Sequence, residues 1–310
     1  VRKLSALILS AGLLLSLAAC SSSASAAAGC SDVTGPGSAS DSVSVTGDVG
    51  QSQTATFPFP LVADSAEVST LVSTDDDDAT VAGYGGVVNV GYTVYDGETG
   101  EAVGQPSTGL IPVSDNLPQA LQDALACTSA GERVAVVLPN EDATTIISGA
   151  TGTVVMVFDV TTAFPRSASG SPQPAQSGFP SVVRDETGRP GLTLTTTDAP
   201  TAAKAAVLIE GDGDEVAEGD ALLVQVTSVD YSAPTKTAVN TWESGTPQLW
   251  LASDDATKTQ GSEQPAGIGQ YLIGQPIGSQ VLVVLPGDDA GAAAAAWVVD
   301  ILGVVPNPAG

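Results

Sequence analysis

The sequence predicts an α+β protein: two tandem copies of one small domain, each a curved antiparallel sheet wrapped around one short helix. Three observations predict it. The phrase "GERVAVVLPNEDA" at residues 131–143 returns as "GSQVLVVLPGDDA" at 278–290, with eight of thirteen positions identical. Flanking sequence repeats in the same order: "LVSTDDDDATVAG" at 71–83 faces "LIEGDGDEVAEGD" at 208–220, and "VVMVFDV" at 154–160 faces "AWVVDIL" at 296–302. The runs between Gly, Pro and Asp are rich in Val and aromatic residues, which suit a pleated, half-buried surface. Two copies joined by a linker do not make a stacked solenoid.

Residues 1–19 are read as a leader. Arg2 and Lys3 open it, and an apolar run over 4–19 follows, short of the roughly 20 residues that a spanning helix needs. It closes on "LAAC", which resembles the bacterial lipobox. The resemblance implies acylation of Cys20 and a protein exported and held by lipid on the extracytoplasmic side of the cell membrane. An ordinary signal peptide or an uncleaved anchor is the competing reading. Two or more acyl chains hold a protein where one holds only marginally. With Cys20 used this way, Cys30 and Cys127 remain in an oxidising compartment, either paired, which is the expectation, or as two free thiols.

Residues 20–50 are small, polar and without period, and read as a flexible tether. The first domain is expected over 51–164. Its strands are "VVNVGYTVY" at 87–95, "RVAVVLP" at 133–139 and "TVVMVFDV" at 153–160. In "NLPQALQDALA", Leu117, Ala120, Leu121, Ala124 and Leu125 form one apolar stripe, so a helix is predicted there. Asp115 or Asn116 is the expected cap, with Pro118 in the first turn. A Pro/Ser-rich linker is expected over 165–185, and a second domain over 186–305. In that domain Ile268, Tyr271 and Leu272 make a weaker helical stripe.

Together these segments resemble the FKBP-type peptidyl-prolyl cis–trans isomerases. The first copy supplies the order of that family as "VNVGYTVYDGETG", "LPQALQDALA", "GERVAVVLP" and "VVMVFDV". The second gives "LLVQVTSVDY", "GIGQYLIGQPIGSQVLVVLP" and "WVVDILG". The resemblance implies FKBP-like domains in tandem, as in exported bacterial lipoproteins, that act on Xaa-Pro segments of exported polypeptides without a cofactor. Rotation about the bond preceding proline faces a barrier of roughly 20 kcal/mol, because the twisted amide loses resonance. An apolar pocket that fits the twisted amide better than the planar one, and removes water from its carbonyl, suffices.

Carried over residue by residue, the resemblance places Tyr92 and Phe158 in the pocket wall of the first copy, with Leu117 and Leu121 as its floor. Leu121 stands where the family has tryptophan. The aromatic–acid pair of the family falls near Val103 and Gly104, so both members are missing. In the second copy Val226, Ile268 and Val299 replace the tyrosine, tryptophan and phenylalanine, and Ala238 and Val239 replace the aromatic–acid pair. Core packing is the competing reading for Tyr92 and Phe158, and core or hairpin packing is the plain one for Trp242, Trp250 and Trp297. The expected function is therefore isomerase-like assistance to folding of secreted chains with a degraded active site, or else binding without catalysis.

Other chemistry is excluded by composition. With 9 basic against 35 acidic residues the chain carries a net charge of −26, which repels nucleic acid and anionic lipid surfaces alike. It contains no histidine, so a Ser–His–Asp triad and His-ligated metal sites are out. The acids at 75–78 and at Asp212 and Asp214 invite a calcium reading. However, Val216 sits where a third oxygen ligand belongs, so solvated turns are expected and no metal.

Overall fold

The structure is a computed structural model and describes residues 30–75, 79–259, 263–287 and 291–306. The leader, Cys20 and the acids at 76–78 lie outside the described residues.

The first half runs β1 (Ser44–Thr46), β2 (Thr54–Thr56), β3 (Glu67–Val72), β4 (Val87–Asp96), β5 (Ser107–Pro112), α1 (Gln119–Cys127), β6 (Arg133–Leu138), α2 (Asn140–Ile146) and β7 (Val154–Phe164). The second half runs β8 (Ser171–Pro172), β9 (Ser181–Arg184), β10 (Pro190–Thr193), β11 (Lys204–Glu210), β12 (Ala221–Asp230), β13 (Thr237–Asn240), α3 (Thr241–Ser244), β14 (Gln248–Leu251), β15 (Gln280–Leu285) and β16 (Ala295–Val304). Two main antiparallel sheets result. Their strand orders are β3-β6-β7-β4-β5 and β8-β11-β15-β16-β12, with β13 and β14 sharing the outer edge of β12.

The two sheets are one design used twice, and the irregularities demonstrate it. In the first, register shifts between Asn89 and Val90 on β4, and between Thr70 and Val72 on β3. In the second it shifts between Leu223 and Val224 on β12, and between Val207 and Ile209 on β11. Bulges are local insertions that bend a strand, so their recurrence at matching places marks a shared backbone rather than shared composition. The repeated phrase begins on Gly131 and Gly278, with φ of 92° and 91°, a left-handed conformation that suits glycine. Each then closes the same corner: Gly131 N–H donates to Val160 O at 2.7 Å, and Gly278 N–H to Ile301 O at 2.9 Å.

The phrase also marks a strand buried on both faces. Val134, Val136 and Leu138 of β6 face α1, while Ala135 and Val137 face a second cluster with Ala39, Val43, Ala55 and Leu61. Likewise Val281 and Val283 of β15 face the inner core, and Leu282 and Val284 face Phe179, Val182 and Leu192. Near-continuous apolar sequence is what two-sided burial demands. The outer covers are the β1–β2 and β9–β10 hairpins.

These covers correct two expectations. The described part of the tether, residues 30–50, is packed. Cys30 is disulfide-bonded to Cys127 with Cα atoms 5.8 Å apart, Ser40 is fully buried, and Ser40 N–H donates to Glu67 at 2.8 Å. The disulfide closes 97 residues, worth on the order of 4 kcal/mol by loop entropy. The stretch 165–185 is likewise structured: β8 pairs with β11, and Ala168 is buried. The small residues of these segments are held largely through carboxylates of the sheet and helix: Thr34 by Asp123, Ser40 by Glu67, Gly50 by Asp159 and Ala168 by Asp300.

Helices depart from expectation too. α1 starts after Pro118, and neither Asp115 nor Asn116 caps it through a side chain. The predicted stripe faces the core as its spacing requires. In the second half the matching piece is only a 3-10 turn at Gly269–Tyr271, though Ile268 and Leu272 are fully buried. Pro265 with Gly267, Gly269 and Gly274 gives poor helix propensity. The two halves meet through Val87, Phe164, Leu223 and Leu302, and a Cβ on Gly303 would lie 2.8 Å from the Phe164 ring.

Candidate functional site

Alternation along β4 and β7 turns Tyr92 and Phe158 to the same inner face, directly opposite one another. Their rings stack with centroids 5.6 Å apart and planes inclined by 29°. Leu121 projects from α1 into the same cluster, and Leu117, one turn ahead of the helix, packs against it. All four sequence-predicted residues thus come together. Phe158 and Leu121 are 1% and 3% exposed, so they form a floor filled by side chains. Tyr92 and Leu117 are half-buried and stand at the rim.

The remaining rim was not anticipated. Val94 on β4, Ile111 on β5, and Ile146 and Ile147 at the end of α2 are half-buried and pack on the same cluster. The segment after Asp142 has no tyrosine of the family kind, and it contributes these two isoleucines instead. Val94, two positions from Tyr92 on a predicted strand, and Ile111, in the apolar run "GLIPV", could have been suspected beforehand. The site is therefore a half-buried apolar surface over a filled core, whose polar contribution is the Tyr92 hydroxyl, and it contains no acid–base pair. Val103, where the family has its aromatic–acid pair, is 45% exposed. What such a surface can do is hold a hydrocarbon ring and offer a hydroxyl to a carbonyl.

Behind the site, α1 is fixed from its other side. Asp123, 4% exposed, accepts hydrogen bonds from Thr34 N–H (2.8 Å), Thr34 Oγ1 (2.7 Å), Tyr84 Oη (2.6 Å) and Gln119 Nε2 (2.7 Å). Burial opposes its ionisation, but these bonds outweigh that and hold the carboxyl below its ordinary value. The Tyr84 hydroxyl is pushed up to about 12 by burial and by its bond to Asp123. Asp123 and Cys127, four residues apart, share one helix face, so carboxylate and disulfide together clamp the N-terminal arm.

In the second half the equivalent positions are buried. Val226 opposes Val299 in the register of Tyr92 and Phe158, and both are fully buried. Trp250 on β14 pairs with Leu222 as Ile111 pairs with Val88. Its ring is 2% exposed and packs edge-on against Trp297 at 6.0 Å. Ile268 and Leu272 fill the rest. Ala238 and Val239 lie on the edge strand β13.

No family model matches the chain, and no curated protein matches it. Matches to solved structures include several FKBP-domain proteins. The three FKBP domains of wheat FKBP73 match at 15% identity, covering 78% of this chain and 95% of that one, with a TM-score of 0.32. FkpA from Escherichia coli matches at 18% identity over 43% of this chain and 54% of its own, with a TM-score of 0.28. The N-terminal domain of FKBP42 from Arabidopsis thaliana matches at 13% identity over 44% of this chain and all of its own, with a TM-score of 0.28. In structure, the chain is similar to FKBP-domain proteins at low sequence identity.

Proposed function

We propose that the protein is exported, lipid-anchored through Cys20, and binds Xaa-Pro segments of exported polypeptides at its first half, with weak prolyl isomerisation there and none in the second. The observation that carries this reading is the contrast in burial between the two sets of positions. Tyr92, Ile111 and Leu117 leave a half-buried apolar surface in one half, whereas Trp250, Val226 and Val299 seal it in the other. A proline ring fits hydrocarbon of this kind, and the Tyr92 hydroxyl can bond a peptide carbonyl. The "LAAC" ending of the leader supports the anchor, and the Cys30–Cys127 disulfide suits an oxidising compartment.

The test is isomerisation of a short Xaa-Pro-Phe peptide by the full chain. Rates above the uncatalysed background, lowered by Tyr92→Phe, are expected, together with a diacylated Cys20 in the mass spectrum of the membrane-extracted protein. Background rates with no peptide binding would overturn the reading. The second reading, a binding module without catalysis, is favoured by the filled floor at Phe158 and the missing aromatic–acid pair. Binding without acceleration would establish it.

A further inference from the structure

The same register position holds different chemistry in the two sheets. In the first, Arg133 on β6 sits opposite Asp159 on β7, both about 1% exposed. Arg133 Nε and Nη2 donate to the two carboxylate oxygens at 2.5 and 2.7 Å, and Gly50 N–H caps the carboxylate at 2.8 Å. The remaining guanidinium donors reach Gly47 O and Asp48 O between β1 and β2. In the second sheet Gln280 sits opposite Asp300. Asp300 is fully buried and accepts from Gln280 Nε2 at 2.7 Å and from Ala168 N–H at 2.8 Å.

The cation has moved to the cover. Arg184, on β9, donates to Ala168 O at 3.0 Å and to Gly188 O at 2.9 Å. Ala168, in the segment that joins the two halves, is therefore held at both ends of one residue: its amide by a carboxylate, its carbonyl by a guanidinium. The groups that face Asp300 are Gln225 on β12, Gln280 on β15, the Ala168 backbone and Arg184, and only Arg184 is charged.

We propose that Asp300, Ala168 and Arg184 form a pH-sensitive catch on the segment joining the two halves, tightest when Asp300 carries a proton and looser when it ionises. A buried carboxylate without a bonded cation is costly. The charge is relieved by admitting water or by bringing Arg184 across, and either movement displaces Ala168. A neutral carboxyl still accepts from Ala168 through its carbonyl oxygen, and its O–H can donate to Gln280 once that side-chain amide turns over. Burial pushes the Asp300 carboxyl up to about 6, against the opposing pull of Ala168, Gln280 and Arg184.

Amide hydrogen exchange at Ala168 in the full chain, followed from pH 4 to 7.5 and corrected for intrinsic rates, tests the catch. Protection should fall roughly thirtyfold between pH 4 and 6 and level off above about 7, as expected for a proton bound about two pH units more tightly in the closed form. Asp300→Asn should give a flat profile. Gln280→Arg, which rebuilds the pair of the first sheet, should also give a flat profile with high protection. A wild-type profile that is flat over this range, or a fall that persists in both variants, overturns the proposal.

Discussion

Tyr92, Ile111 and Phe158 in the first half and Val226, Trp250 and Val299 in the second occupy matching register positions on matching strands. The first set leaves a half-buried apolar surface and the second is buried. Around both, the bulges, the left-handed glycines Gly131 and Gly278, and the doubly buried strands β6 and β15 coincide. The difference teaches which positions the backbone dictates. A corner with positive φ tolerates little but glycine, and a strand with apolar neighbours on both faces tolerates little but Val, Leu and Ala. A cleft wall accepts any side chain that fills its share of volume, so the halves diverge there.

The largest expected effect separates the polar positions. Arg133→Ala leaves the Asp159 charge buried without its cation and should destabilise the first half by about 4 kcal/mol. Gln280→Ala removes one hydrogen bond and should cost about 1–2 kcal/mol. Urea unfolding with hydrogen exchange resolved by half distinguishes them, and equal losses would break the comparison.

Next comes pH. The Asp300 carboxyl is raised in the fold from 3.8 to about 6, so the native state binds more protons between those values. Stability of the second half should be highest near pH 4 and fall by about 3 kcal/mol as pH rises through 6. Asp123 has the opposite sign. Its lowered carboxyl stabilises the first half above the ordinary carboxylate range, and that contribution is lost as pH falls through its folded value. Denaturant midpoints from pH 3 to 7.5 should therefore move in opposite directions in the two halves through the ordinary carboxylate range, and only the second half should keep falling up to about pH 6.

Gly131→Ala forces a side chain into a positive-φ corner with open space around it and should cost about 1–2 kcal/mol by thermal unfolding, whereas Gly278→Ala also brings its Cβ to 2.8 Å from Ser169 O and should cost more. The smallest effect is a gain. Thr93 and Thr227 share one register position, and both have a buried hydroxyl without a protein partner. Thr93→Val and Thr227→Val should each stabilise by about 1 kcal/mol. A loss in only one half would show that its hydroxyl has a separate task.

Much of this architecture was legible in the sequence because it rests on periodicity. The resemblance of the strand motifs brought Tyr92 and Phe158 to one site, the stripe from Leu117 to Leu125 fixed the face of α1, and the repeated phrase announced the duplication. The outer covers were not legible. Ala39, Val43 and Ala55 are too small to stand out among serines, and their burial depends on a sheet face that composition alone does not reveal. The rim residues Ile146 and Ile147 end a seven-residue helix too short to show a period. Trp250 could not be matched to Ile111 by sequence, since strand pairing rather than similarity makes them equivalent.

The contrast between the two apolar surfaces is tested most directly by titrating the full chain with an Xaa-Pro-Phe peptide and following side-chain NMR resonances in both halves. Shifts at Tyr92, Ile111, Leu117 and Phe158, with Val226, Trp250, Ile268 and Val299 unmoved, are the predicted result. Shifts centred on Trp250 and Val226, or none in the first half at saturating peptide, would contradict it.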